Sequence, residues 1–390
     1  MKQRTSTSLV KKIMTEFAHL TGLSPTSSAG RRYLWTDAFA VCNFLGLYQE
    51  TGDKESRDLA LQLVGQVHSV LGRHRGDDPR TGWISGLHEE DGKLHPTRGG
   101  LRIGKQLKER RANDPFNEPL EWDRDGQYYH YLTKWMHALN RVTKATSDFA
   151  YNRLAIELAR AAHSKFVYTS SSSGQKRMYW KMSTDLSYPL VPSMGLHDPL
   201  DGLITYSQLQ ATSAEDSEQS TEDLSAEILD IAGMCRGRNW ATDDPLGIGG
   251  LLSDAFRVGQ LMVKGYFAQT GLLRDLLDAS LVGVRAFAKE DSLNLPANYR
   301  LAFRELGLSI GLGVVERLPE LFERNEHAFG KVHDLKMRMK ALKQYEPLEE
   351  AINNFWLQPE NQETESWKTH RDINMVMLAT SLSPDGYLRL

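Results

Sequence analysis

The stretch RYLWTDAFAVCNFLGLYQETGD, Arg32–Asp53, decides how the rest of the chain is read. Leu34, Ala38, Val41, Cys42, Leu45 and Tyr48 recur at three- and four-residue intervals, which is the stripe of a helix and not the alternation of a strand. Thr51-Gly52-Asp53 then supplies a stop and a start. Glycine takes the left-handed conformation that ends one helix, and the aspartate side chain caps the next, whose apolar positions are Leu59, Leu63, Val67 and Val70. The product is an αα-hairpin.

Working outward, the same unit returns at Gln127–Ala145 with Tyr151–Phe166, and at Leu200–Ala211 with Leu224–Met234 beyond an acidic linker, Ser213–Asp223. It continues through Leu251–Gln269 and Leu272–Ala288 with Gly271 at the turn, then Tyr299–Leu318 and Val332–Leu342, then Leu348–Leu357 and Asp372–Ser381. With Ser8–Leu20 in front, the chain predicts about a dozen helices in up-and-down order and no long strand. Because the repeat has no fixed length and the long loops follow alternate helices, a closed ring of hairpins is expected over an open solenoid. The expected fold class is all-α, a closed ring of helical hairpins formed by residues 1–390 as a single domain.

The 390 residues, 40% of them hydrophobic, are ample for a large core, and a formal charge of −3 with acids and bases interspersed argues against nucleic acid as a partner. Cys42 and Cys235 each sit in an apolar helical run and read as buried free thiols suited to a reducing compartment. The N-terminus lacks the apolar core of a signal peptide and no span reaches the ~18 apolar residues of a membrane helix. A cytoplasmic protein without a membrane partner is expected.

Arg32–Asp53, its second helix and the following DPRTGW (residues 78–83) resemble the hairpin signature of the six-hairpin glycosidases, enzymes of the (α/α)6-toroid class that include the unsaturated glucuronyl and rhamnogalacturonyl hydrolases and, more distantly, the N-acyl-glucosamine and cellobiose 2-epimerases. The resemblance implies that the ring is an (α/α)6 toroid with a carbohydrate site. It further implies that Asp37, in the Trp-x-Asp-type segment that opens an inner helix, is the catalytic-type aspartate, although Ala38 stands where the family often has a second aspartate.

Chemistry-bearing residues collect in three long loops, Gly72–Arg124, Tyr168–Pro199 and Arg236–Gly250. The densest run is Glu121-Trp122-Asp123-Arg124-Asp125-Gly126-Gln127-Tyr128-Tyr129-His130, at the entry to a helix. Asp123 or Asp125 fits a helix cap as well as a site, but acids, a histidine and aromatic rings together offer proton-transfer groups beside a platform for a sugar ring. His130 and Lys134, four apart, share a helix face. A second run brings His197, Asp198 and Asp201 to another helix start, where Asp198-Pro199 also reads as an N-cap followed by proline. The third loop repeats Asp-Pro-Leu and adds GIGG at 247–250, without the strand and lysine of a phosphate loop. Asp254 and Arg257 read first as an ion pair. Arg98–Lys105 is either a solvated loop or a seat for an anionic group.

No metal spacing, nucleophile elbow or dinucleotide fingerprint is present, so no metal or cofactor is expected and carboxylate or histidine acid/base chemistry remains. The leading expectation is a hydrolase of a glycosidic or related bond in a small-molecule or oligosaccharide substrate. Asp37 and Asp125 are its acids, and Asp123, His130, His197 and Asp201 position substrate or share proton transfer. Trp35, Trp122, Tyr128 and Trp180 are expected to stack on sugar, with Arg32, Arg102 and His370 completing the binding set. The alternatives are a sugar 2-epimerase or isomerase working through His130, His197 or His370, and a helical scaffold that binds without turnover.

Overall fold

In the computed structural model, residues 2–26, 30–216, 223–268, 270–330 and 332–390 are described. Residues 217–222 of the expected acidic linker, and Gln269 at the expected end of a helix, lie outside them. The chain forms two compact units, one of residues 18–48 and 52–237, the other of 1–17, 49–51 and 238–390. Both are built from helices.

The first unit contains α2 (Leu34–Thr51, all but its last residues), α3 (Lys54–Leu71), α4 (Tyr129–Thr146), α5 (Ala150–Phe166), α6 (Asp198–Ser213) and α7 (Ser225–Cys235); α1 (Lys2–Leu20) ends in it. The α2/α3 turn forms as its sequence dictates. Gly52 has φ 74° and donates its N–H to the Tyr48 carbonyl, while the Asp53 side chain accepts from the N–H of Glu55. Leu34 to Leu47 are buried on every side, whereas α3 buries one stripe, Ala60, Leu63, Val64, Val67, His68 and Leu71. The alternation repeats. Helices α4 and α6 are buried almost all round, and α5 and α7 on one face only. A helix enclosed on all sides is an inner element, and one with a single apolar stripe covers it from outside.

Inner helices α4 and α6 approach closely because Gly202 has no side chain: a Cβ there would stand 2.3 Å from the Tyr129 hydroxyl. Tyr129 donates to Tyr206, which donates to the Ala159 carbonyl of α5. Further along, Asn140 donates to Asn152 and Thr212, and Gln208 donates to Asn140 and meets His137 at 2.9 Å. These buried polar groups satisfy one another, which fixes the register of three helices.

The run entering α4 departs from expectation. Gln127–Tyr128 is a short strand, β1, so the helix begins at Tyr129. The hairpin strands β2 (Val167–Thr169) and β3 (Lys176–Met178) pair with each other, and β4 (Lys181–Met182) lies between β1 and β5 (Pro189–Val191), antiparallel to both. The Gln127 amide explains the change, because it accepts from the Leu101 N–H and donates to the carbonyls of Gly99 and Thr184. Three loop segments are thereby stitched together at the mouth of α4.

The second unit holds α8 (Pro245–Val263), α9 (Thr270–Phe287), α10 (Ala302–Leu312), α11 (Val332–Lys343), α12 (Pro347–Trp356) and α13 (Arg371–Leu382). Helix α8 stops six residues short of Gln269, with Gly265 at φ 79° in the turn, and Gly271 falls inside the first turn of α9. The single helix expected over Tyr299–Leu318 is a 3-10 turn, Ala297–Tyr299, followed by α10, and a further helix begins at Arg317. The GIGG run has a packing reason. A Cβ on Gly249 would lie 1.9 Å from the Gly307 carbonyl, and one on Gly311 would lie 2.5 Å from the Gly249 Cα, so α8 and α10 touch backbone to backbone. Both cysteines are buried thiols and do not form a disulfide. Among the described residues no helix is long and apolar enough to cross a membrane.

Candidate active site

Of the expected site residues, all except His370 belong to the first unit. Two of its carboxylates are consumed by the scaffold. Asp125 is fully buried; its Oδ2 accepts from Arg102 at 2.6 Å, and its Oδ1 accepts from the N–H groups of Gly104, Gly126 and Lys105 at 3.0, 3.1 and 3.4 Å. Arg102 spends its other N–H groups on the carbonyls of Arg73 and Val70. This pair therefore pins residues 102–105 against the mouth of α4. Asp37, in the first turn of α2, accepts from the Tyr33 N–H at 3.0 Å and lies 3.5 Å from Arg32, whose guanidinium donates to the Thr21 carbonyl. Reaching back from the first turn to the residue before the helix is capping geometry. Both partners are buried.

The open groups lie where α4 meets α6. His130 Nδ1 stands 3.5 Å from Asp198 Oδ1, short of a hydrogen bond, and one turn further Lys134 Nζ donates to Asp201 Oδ1 at 2.8 Å. The two sequence runs that each bring histidine and acid to a helix start thus face each other. Among the described residues His130 Nδ1 and Asp198 Oδ2 are buried without a hydrogen-bond partner, and His130 Nε2 bonds no protein group. Asp198 is not the N-cap; His197 holds that place, and Asp198 is the first residue of α6. A Cβ on Gly195 would come 2.6 Å from Asp198 Oδ2, so glycine there leaves the carboxylate its position beside His130. Burial alone would raise the Asp201 carboxyl, but the Lys134 ammonium outweighs it, helped by His130 and His197, and the carboxyl is lowered. Asp201 is therefore held charged.

An aromatic wall runs beside these groups. His130 stacks on Tyr128 at 5.3 Å and faces Trp180 at 6.1 Å and 16°; Trp122, half exposed, meets Trp180 edge-on at 5.0 Å. Tyr131 continues the wall, 4.9 Å from His130 and 5.2 Å from Tyr128, and its hydroxyl is 2.8 Å from that of Tyr33. Burial pushes the hydroxyls of Tyr33 and Tyr128 well up, so both stay protonated. Lys181 sits over Tyr128, its Nζ donating to the carbonyls of Glu121 and Arg124. Burial lowers it to about 8 despite Glu121 nearby.

The remaining expected residues disperse. Trp35 is buried against Phe39, away from any open surface, and Asp123 is exposed at the end of a short helix. His370 is in the second unit, edge-on to Phe303. Asp254 and Arg257 are 3.7 Å apart, the ion pair expected of them. Tyr33, Tyr131, Lys134 and Asp198 were not in the expected set of site residues. The unbroken YYHY of residues 128–131 is the signal that could have found Tyr131. Among the described residues no group of three or more histidine, cysteine or acidic side chains is placed to hold a metal.

An all-α chain of hairpins, each with an enclosed inner helix, thus carries an imidazole, a lysine and two aspartates at the meeting of two inner-helix N-termini, along a wall of aromatic rings. Solved structures similar to this chain are a sugar epimerase from a ruminal bacterium (9% identity, 90% of this chain and 87% of that one, TM-score 0.47) and the cellobiose 2-epimerases of Spirochaeta thermophila (11%, 95% and 97%, 0.49) and Bacillus thermoamylovorans (9%, 90% and 87%, 0.46). No family model and no curated protein matches the sequence.

Proposed function

We propose that this protein is a carbohydrate-active enzyme that moves a proton at the carbon next to a sugar carbonyl, epimerising or isomerising a free sugar, with His130 as the acid/base. The observation that carries the reading is His130 itself. Its Nδ1 faces the Asp198 carboxylate at 3.5 Å, its Nε2 bonds nothing in the described protein, and its ring lies along Tyr128 and Trp180. A histidine with a carboxylate beside one nitrogen and no protein bond on the other is placed to act as a general base.

In this scheme the sugar ring or its opened chain lies on Trp180 and Trp122. His130 takes the proton from the carbon beside the carbonyl, the C–H electrons form the enediolate, and Asp198 balances the charge gained by the imidazole. Delivery of a proton to the opposite face, with the carbonyl re-formed, inverts that carbon; delivery to the former carbonyl carbon, with the neighbouring hydroxyl proton passing to the former carbonyl oxygen, isomerises the sugar. His197, at the N-cap of α6, is the group proposed to deliver a proton on the opposite face. Hydrolysis by Asp37 and Asp125 is the weaker reading, because each carboxylate is buried and bound by an arginine and backbone N–H donors.

The test is incubation with free sugars and oligosaccharides in deuterated water, followed by mass spectrometry. Uptake of deuterium without fragment release is expected, and it should be lost in His130→Asn. Fragment release, or full exchange in that variant, overturns the assignment. Silence across the panel favours a scaffold that binds without turnover.

A further inference from the structure

The loop Arg98–Lys105 contains two cations whose fates differ. Arg102 is fully engaged by Asp125 and two carbonyls. Lys105 is not. Its Nζ lies 5.3 Å from the centre of the Tyr33 ring, half-buried, with no hydrogen bond to a described residue and no carboxylate within ion-pair distance. Its backbone, by contrast, is fixed: its own N–H and that of Gly104 are held by Asp125, and Gly104, at φ 94°, lies so close to the Arg32 carbonyl that a Cβ would be 2.2 Å from it. The ammonium is thus delivered by a rigid loop and then left without a counter-ion.

Its position is at one end of the aromatic wall. Tyr33, under the ammonium, joins hydroxyls with Tyr131, and Tyr131 meets His130 edge-on. The nearby charges have been accounted for: Asp125 is committed to Arg102, Asp123 is exposed, and Lys181, a second cation over Tyr128, is tied to two carbonyls. Burial lowers Lys105 against the pull of Asp123 and Asp125, which is the cost of holding an unpaired cation out of water.

We infer that Lys105 is a specificity residue that receives an anionic substituent, carboxylate or phosphate, on a sugar lying along the wall from Tyr33 to His130. The inference rests on the proposed carbohydrate site and names the substrate class for it, an acidic sugar. A sugar anion supplies the missing counter-charge, and the carbons remote from that anion then fall toward His130.

Binding is measured without turnover, by quenching of tryptophan fluorescence on titration with glucuronate, glucose 6-phosphate and glucose, in the whole protein and in Lys105→Ala. A charge-assisted contact of this kind favours the anionic sugars by about tenfold or more. The expected result is that glucuronate or glucose 6-phosphate binds more tightly than glucose, that Lys105→Ala removes the difference while leaving glucose binding unchanged, and that Lys105→Arg keeps most of it. Whichever of the two anions is preferred identifies carboxylate or phosphate as the group received. Equal binding of all three sugars, or a preference that survives in Lys105→Ala, overturns the inference and leaves the carbohydrate site standing. Failure of every sugar to bind removes both.

Discussion

Asp125→Asn separates a carboxylate that holds the scaffold from one that acts on substrate. In the native protein one oxygen faces Arg102 at 2.6 Å and the other gathers the N–H groups of Gly104 and Gly126 at 3.0 and 3.1 Å. An asparagine has one acceptor oxygen. If it serves the backbone, its NH2 is turned against the Arg102 guanidinium, donor to donor, in a place where both residues are buried. Removing one partner of a buried ion pair costs ~3–5 kcal/mol. Arg102 keeps its two carbonyl bonds, and Arg75, 3.6 Å from Asp125, keeps its ion pair with Asp77, so the lower part of that range applies. With a urea slope of ~2–3 kcal/mol per M, a loss of ~3 kcal/mol moves the unfolding midpoint down by about 1 M.

The assay is urea unfolding followed by far-UV circular dichroism, run on the native protein, Asp125→Asn, Arg102→Met and the double variant. The double variant should be less destabilised than the two single ones added together, because it no longer buries an unpaired charge. Folded Asp125→Asn protein, below its midpoint, should retain deuterium exchange on a confirmed sugar. An unchanged midpoint together with lost exchange would refute the reasoning and return Asp125 to the chemistry.

Gly195→Ala places a methyl group 2.6 Å from Asp198 Oδ2, and the flexible carboxylate must swing away from His130. Deuterium exchange should fall about tenfold, part of the ~10²–10⁴ that general acid/base catalysis supplies, with little change in the urea midpoint; exchange within twofold of the native rate would show that Asp198 does not position the imidazole. His68 tests pH linkage. Fully buried and accepting from Trp135 Nε1 at 3.2 Å, it is lowered by burial to about 4. The unfolded chain takes up that proton near pH 6.5 and the folded one only near 4, so stability is full above 6.5 and declines as pH falls between them, by roughly 3 kcal/mol at most. His68→Gln keeps an acceptor for Trp135 and should flatten this part of the slope between pH 7 and 5; equal slopes in the two proteins would mean His68 does not contribute it.

The hairpins were legible because their signals are local. Gly52 ends α2 and Asp53 caps α3 through atoms no more than four residues away, and the stripes of α3 and α5 follow from spacing alone. Boundaries set from a distance were not. Nothing around Gln127 says that its amide will bridge Leu101, Gly99 and Thr184 and so hold Gln127–Tyr128 as a strand. Nor does GIGG reveal that Gly249 faces the Gly307 carbonyl of another helix.

The same distinction explains the site. Trp122, Tyr128, Trp180 and His130 were readable as a sugar platform with a proton-transfer group, and they do come together. The choice among acids was not readable, since a helix start draws aspartate for capping, for charge balance and for chemistry alike. What decides between those roles is how many donors each carboxylate already serves, and that depends on the path of chain far away in sequence. Asp37 and Asp125 are claimed by arginines and backbone N–H groups; Asp201 is claimed by Lys134, which keeps it charged. Asp198 alone among these four keeps a buried oxygen without a partner, and its other oxygen stands 3.5 Å from His130 Nδ1. A buried acceptor left unsatisfied costs stability, ~1–3 kcal/mol for an uncharged group and more for a charged one. On the proposed reading, the α4/α6 mouth is where that cost is retained beside an imidazole and an aromatic wall, and where the proton chemistry is sought first.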